Sequence, residues 1–144
     1  ALALHSRYIL MEKINSIYVV DDDPITVFGI RKILDSIVEC QKIETFGNGK
    51  LAIEAVRSVL EQGGGIPEII FLDINMPVMD GWQFMAEFIK LPIEHKVRIN
   101  VITSSIDATD YDSWAFYKQK THHIVDYVNK PAKRAELVKI TKLA

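Results

Sequence analysis

Four apolar runs of the chain each end in a side chain able to do chemistry. Ile17-Tyr18-Val19-Val20 runs into Asp21, Asp22 and Asp23. Ile69-Ile70-Phe71-Leu72 runs into Asp73, Ile99 to Ile102 into Thr103-Ser104-Ser105, and Ile124 to Val128 into Asn129-Lys130. Carboxylates gathered in one crevice repel each other, which raises their proton affinity unless a cation compensates. Hard oxygen donors of this kind suit Mg²⁺, which keeps several waters and can pass the vacant positions to phosphate oxygens. An aspartate beside a cation, a hydroxyl and an ammonium can attack phosphorus through its carboxylate and become an acyl phosphate. Phosphoryl transfer asks mainly for alignment and charge stabilisation; Mg²⁺ and Lys130 would supply the charge, and Thr103 a donor. Taken singly, each group has a plain reading as a turn residue or helix cap. Independent turn residues have no reason to follow successive strands in the order acid pair, acid, hydroxyl, ammonium.

Such convergence needs parallel strands whose carboxyl ends share one edge. The apolar runs are β-branched and continuous, as in strands covered on both faces. Between them lie stretches of helical period. Pro24, capped by Asp23, opens a helix to about residue 38 with Ile30, Ile33, Leu34 and Ile37 on one face. A brief strand near Gln41–Thr45 precedes a helix with Leu51, Ala52, Ala55, Val56, Val59 and Leu60 inward, stopped by Gly63-Gly64-Gly65. A third helix carries Trp82, Met85, Phe88 and Ile89, a fourth spans about 109–119, and a fifth about 132–143. Five strands interleaved with five helices predict an α/β doubly wound sheet, with chemistry at the crevice where strand order reverses.

Composition sets the bounds. With 144 residues, 49% hydrophobic and 25% charged, the chain suits one domain with its own core. The net charge of −2 provides no broad positive field, so direct nucleic-acid binding is not expected. One cysteine, Cys40, excludes an internal disulfide and fits a reducing, cytoplasmic setting; it reads as a small core or helix-end residue. No apolar run reaches the ~20 residues of a membrane span. Residues 1–14 fit no later element and read as an extension or foreign remnant ahead of a domain over 15–144.

The motifs resemble the receiver domain of two-component response regulators. Val19-Val20-Asp21-Asp22-Asp23-Pro24 is similar to that family's acidic pocket, and Leu72-Asp73-Ile74-Asn75-Met76-Pro77 with Asp80-Gly81 to its phosphorylation loop. Val101-Ile102-Thr103-Ser104 and Val128-Asn129-Lys130-Pro131 resemble its other two signatures. The resemblance covers nearly the whole chain after Ser16. It implies a flavodoxin-like, CheY-like fold with strand order 2-1-3-4-5. It further implies that Asp73 is the phosphoacceptor, that Asp21, Asp22, Asp73 and the Asn75 carbonyl hold Mg²⁺, that Thr103 is the switch hydroxyl and Lys130 the phosphate-neutralising cation, and that Lys130-Pro131 is cis. Asp23, one place past the family's pair, is assigned to capping.

By the same resemblance, phosphate arrives from a histidine kinase or histidine phosphotransfer protein, and the face of the fourth helix, fifth strand and fifth helix meets a downstream protein or effector. A homodimer is a further partner the resemblance allows. Tyr127 stands where the family places an inward-turning aromatic. Trp114, Phe116 and Tyr117 crowd the fourth helix and cannot all enter one core, so one is expected exposed; Trp114 is included with Tyr127 among the switch and interface residues. His122-His123 replaces the family's Gly-Ala turn and reads as solvated surface.

Three rivals share parts of this pattern. Asp21-x-Asp23 has some likeness to the haloacid dehalogenase phosphohydrolases, but Ile25 stands where they carry Thr or Val. A flavodoxin needs a hydroxyl- and glycine-rich phosphate loop where this chain has three aspartates. The third rival keeps the fold as an interaction module without phosphorylation.

Overall fold

A computed structural model describes residues 11–142. Among them the elements alternate as β1 (Glu12–Val20), α1 (Pro24–Ile37), β2 (Val38–Phe46), α2 (Gly49–Glu61), β3 (Ile69–Leu72), α3 (Gly81–Phe88), β4 (Arg98–Thr103), α4 (Ala108–Lys120), β5 (Ile124–Asn129) and α5 (Arg134–Ile140). The strands form one sheet in the order β2-β1-β3-β4-β5, with every pair parallel. This is the flavodoxin-like, doubly wound arrangement expected.

Alternating side chains send two cores to opposite faces. On one face Ile17, Val19, Ile69 and Phe71 meet Ile30 and Leu34 of α1 and Leu137 and Ile140 of α5. On the other, Tyr18, Val20, Ile70, Leu72 and Val101 meet Ala52, Ile53 and Val56 of α2 and Phe84, Met85 and Phe88 of α3. All four residues of β3 are buried. Each large apolar side chain so enclosed contributes about 1.5–3 kcal/mol relative to exposure. The helix starts follow local capping: Asp23, Asn48, Asp80 and Asp107 each accept a backbone N–H of the first turn.

Several boundaries differ from the sequence expectation. β1 reaches back to Glu12, pairing Glu12 with Val38, ahead of the expected domain start at residue 15; the first ten residues of the expected extension lie outside the described residues. β2 is nine residues long rather than the brief Gln41–Thr45 expected, because at the sheet edge exposed Glu39, Gln41 and Lys42 break its apolar pattern. Cys40 lies in this strand, half-buried against the edge of the core, rather than at a helix end. The final helix is shorter than expected. Arg98 Nη1 donates to the carbonyls of Lys139, Ile140 and Lys142 at 3.3, 2.6 and 3.2 Å and ends it, as a cation does at a helix C-terminus.

The expectation of a solvated histidine pair fails for His123. His122 is exposed, but His123 is buried, its Nδ1 accepting the Val97 N–H at 2.9 Å and its ring 5.1 Å from Phe88. The Val97 N–H precedes β4 and needs an acceptor in a water-free place. Of Trp114, Phe116 and Tyr117, Phe116 is the exposed one, and Tyr111 on the same helix is exposed as well.

Candidate functional site

The sheet ladder continues one residue past its strands. Asp21 N–H donates to Phe46 O at 3.0 Å, Asp73 N–H to Val20 O at 2.9 Å, and Lys130 N–H to Thr103 O at 2.8 Å. Three residues that are far apart in sequence thereby have their backbones held along one edge. Carboxylate oxygens of Asp21, Asp22 and Asp73 lie within 4.8 Å of one another. Asp21 and Asp73 are buried and Asp22 is exposed. Lys130 Nζ sits 2.9 Å from Asp21 Oδ2 and 3.4 Å from Asp73 Oδ1, and the Lys130-Pro131 bond is cis.

One ammonium among three carboxylates leaves two formal negative charges uncompensated. Burial pushes the Asp73 carboxyl up to about 6, and the Asp21 charge adds to that rise while Lys130 opposes it. Burial alone would lower the Lys130 ammonium, but its hydrogen bond and charge attraction to Asp21, with Asp73 beside it, hold it above its ordinary value. Converging hard oxygens with surplus negative charge fit a divalent cation such as Mg²⁺. Asn75 is exposed in the following loop, and among the described residues its carbonyl accepts no backbone hydrogen bond. Asp23 instead accepts Ile25 N–H and the Thr26 hydroxyl at the start of α1.

The loop from Asp73 to α3 is tightly held. Ile74 N–H donates to Asp73 Oδ1 at 2.9 Å and Gly81 N–H to Ile74 O at 2.8 Å. A Cβ on Gly81 would stand 2.4 Å from Asp73 O, so glycine is required for close approach rather than for its dihedrals. Val78 has φ +68, and Met79 N–H closes a γ-turn onto Pro77 O at 2.7 Å. A β-branched residue in the left-handed region stores backbone strain beside the site.

Thr103 is fully buried at the end of β4, its Oγ1 accepting Ser105 N–H at 3.0 Å. Ser105 Oγ accepts Asp107 N–H at 3.1 Å, and Asp107 caps α4. Tyr127 lies half-buried on β5, its ring 5.8 Å from Trp114 and 6.2 Å from Tyr111. Burial raises its phenol above the ordinary range, helped by Asp110 and Asp107. Trp114 Nε1 donates to Val125 O at 3.0 Å, tying α4 to β5. The acids and Lys130 thus form one cluster, while Tyr127 and Trp114 belong to a second on the α4–β5 side. The sequence places Trp82 on the third helix without a partner; its indole reaches α4, a contact with no local sequence signature.

Comparison with known proteins identifies similar chains. The family model described as the response regulator receiver domain matches residues 17–142. An uncharacterized response regulatory protein of Vibrio cholerae is 30% identical over 129 residues, covering 89% of this chain and 44% of that protein. The two-component response regulator ARR11 of Arabidopsis thaliana is 33% identical over 121 residues, covering 84% and 20%. The chain thus spans less than half the length of these relatives. A solved two-component response regulator from Cytophaga hutchinsonii is 27% identical with a TM-score of 0.72, covering 90% of this chain and 95% of that one.

Proposed function

Because the chain belongs to the response regulator receiver domain family, we propose that it accepts a phosphoryl group on Asp73 from the phosphohistidine of a histidine kinase or histidine phosphotransfer protein. The observation that carries this reading is the convergence of the Asp21, Asp22 and Asp73 carboxylates around Lys130. In the transfer, an Asp73 carboxylate oxygen forms a bond to phosphorus as the nitrogen–phosphorus bond of the donor imidazole breaks. The imidazole nitrogen keeps the electron pair and takes up a proton.

Asp21, Asp22, Asp73 and the Asn75 carbonyl would hold Mg²⁺, which supplies positive charge for the phosphoryl oxygens when bound. With its pKa near 6, Asp73 is mainly ionised at neutral pH and able to act as nucleophile. Lys130 stabilises charge on the transferred group, and Thr103, whose oxygen accepts from Ser105, keeps its own O–H to donate to that group. A phosphoryl group carries about −1.5 to −2 charges. Its pairing with Lys130 and Thr103 favours one arrangement of the Thr103–Ser105–Asp107 connection over another and so biases the α4–β5–α5 face.

On this reading the domain is a switch that takes up and loses one phosphoryl group, placed in the cytoplasm with its donor. Its face would meet a downstream protein, an effector domain or a second copy. Incubation with acetyl phosphate and Mg²⁺ tests it. The protein should gain one acid-labile, hydroxylamine-sensitive phosphoryl group, and Asp73→Asn none. No incorporation across several donors favours the interaction module; continuous release of phosphate from small esters favours a phosphohydrolase.

A further inference from the structure

The phosphoacceptor loop is attached to α4 by a contact that does not pass through Thr103 or Tyr127. Gly81, the first residue of α3, lies against the peptide of Asp73 and donates its N–H to Ile74 O at 2.8 Å. Asp80 and Gln83 close a reciprocal capping box around the same turn. The start of α3 is therefore bonded directly to the phosphoacceptor loop. The next residue is Trp82. Its Nε1–H donates to Asp110 Oδ1 in the first turn of α4 at 3.0 Å, and its ring stacks on Tyr117 two turns further on, centroids 5.8 Å apart and planes within 8°.

This contact carries weight because α4 has few others. None of its residues is buried. It is tied to β5 by the Trp114 indole bond to Val125 O and by the Tyr111–Trp114–Tyr127 rings. A helix without a buried stripe takes its position from a handful of specific contacts, and losing one changes how readily it opens. The Trp82–Asp110 bond is part-buried and ends on a carboxylate, which makes it stronger than a neutral pair.

We propose that Trp82 is a positioning residue: by gripping Asp110 and Tyr117 it couples the phosphoacceptor loop to α4 along a second route, parallel to the Thr103–Ser105–Asp107 connection. The phosphoryl-dependent part of this inference rests on the function proposed above, whereas the positioning of α4 does not. A shift of the loop on phosphorylation reaches α4 through the indole at both its first and third turns, and rotates or frees the helix as a body. Loss of the indole should leave the chemistry at Asp73 in place and disconnect the helix from it.

Hydrogen exchange at residues 108–120 in the full chain, followed by mass spectrometry, reads this in two arms. With chelator and no phosphodonor, Trp82→Phe and Asp110→Ala should each speed exchange in α4 by roughly tenfold. Asp110→Asn, which keeps an acceptor oxygen, should restore most of the protection. Exchange like the parent in both Trp82→Phe and Asp110→Ala overturns the positioning role. With acetyl phosphate and Mg²⁺, all three variants should take up phosphoryl at Asp73 to about the parent's extent. The phosphoryl-dependent change in α4 exchange should shrink several-fold in Trp82→Phe and Asp110→Ala and return in Asp110→Asn. An undiminished change in the two disrupting variants overturns the coupling and leaves the proposed function standing. A parent that takes up no phosphoryl group overturns that function and the coupling, and the first arm alone then decides the positioning role. Should Trp82→Phe not fold, the Asp110 pair decides each arm by itself.

Discussion

Lys130 and Asp21 are joined at 2.9 Å, ammonium to Oδ2, with both side chains largely withdrawn from water. The same ammonium stands farther from Asp73, at 3.4 Å. The cation is thus shared unequally, and Asp73 receives less compensation than its burial and its neighbour Asp21 demand. Its raised pKa is the electrostatic record of that imbalance. A buried carboxylate in this condition destabilises the fold until a proton, a metal ion or a covalent group relieves it.

The pH dependence of Asp73→Asn follows from that imbalance. The folded-state pKa of about 6 exceeds the ordinary 3.8, so between these values the native chain binds a proton that the unfolded chain does not. Stability from this group is therefore full in acid and lost as pH rises towards 6. In chelator at pH 7, Asp73→Asn should be more stable than the parent by about 2–3 kcal/mol, with the advantage fading near pH 4. Urea melts across that range check it; parallel curves for the two proteins would remove the basis for a strained carboxylate. Adding Mg²⁺ should stabilise the parent and narrow the gap.

Asp22→Ala should separate metal binding from folding. Asp22 is exposed and donates nothing to the packing, so its removal should change stability by no more than about 0.5 kcal/mol. It supplies one of three converging carboxylates, and its loss should weaken Mg²⁺ binding by about tenfold, in line with removing one charge-assisted contact. Calorimetric Mg²⁺ titration of both proteins gives the comparison, and equal affinity would take Asp22 out of the cation site.

Gly81→Ala should damage the site through space alone. The added methyl would meet Asp73 O at 2.4 Å and Ile74 Cα at 2.9 Å, both backbone atoms that cannot swing aside. We expect a loss of about 1–3 kcal/mol, the usual range for overpacking, together with slower phosphoryl uptake as Asp73 is displaced. Near-parental stability and labelling would mean that the loop yields more easily than its hydrogen bonds imply.

The central strands were legible because strands covered on both faces must be apolar throughout, and β3 is four buried residues ending at Asp73. The same rule blurred the extent of β2, legible only near Gln41–Thr45, because its edge position leaves Glu39, Gln41 and Lys42 exposed. Asp21, Asp22, Asp73, Thr103 and Lys130 stood out because parallel strands end on one edge, so strand ends far apart in sequence become neighbours. The burial of His123 and the reach of Trp82 to α4 were illegible for a common reason. Each has a partner on a different element, the Val97 N–H and the Asp110 carboxylate, and no spacing along the chain encodes such a meeting. Asn100 is buried in β4, and among the described residues neither of its amide atoms has a hydrogen-bond partner.

The buried His123 makes acid stability depend on the far end of the sheet. Burial pushes its imidazole down to about 4, with His122 and His95 adding to the fall, and its Nδ1 must stay unprotonated to accept the Val97 N–H. The unfolded chain takes up a proton near 6.5 and the folded chain does not until about 4, so this contribution is complete above 6.5 and drains away as pH falls towards 4. Between pH 7 and pH 5 the loss should be on the order of 2 kcal/mol. Asp73 titrates in the opposite sense over part of that window, so the measurement belongs in the Asp73→Asn background. There, His123→Gln, whose amide oxygen can accept from Val97, should flatten the acid limb while lowering stability at pH 7. An acid limb as steep as before would assign the dependence to another group.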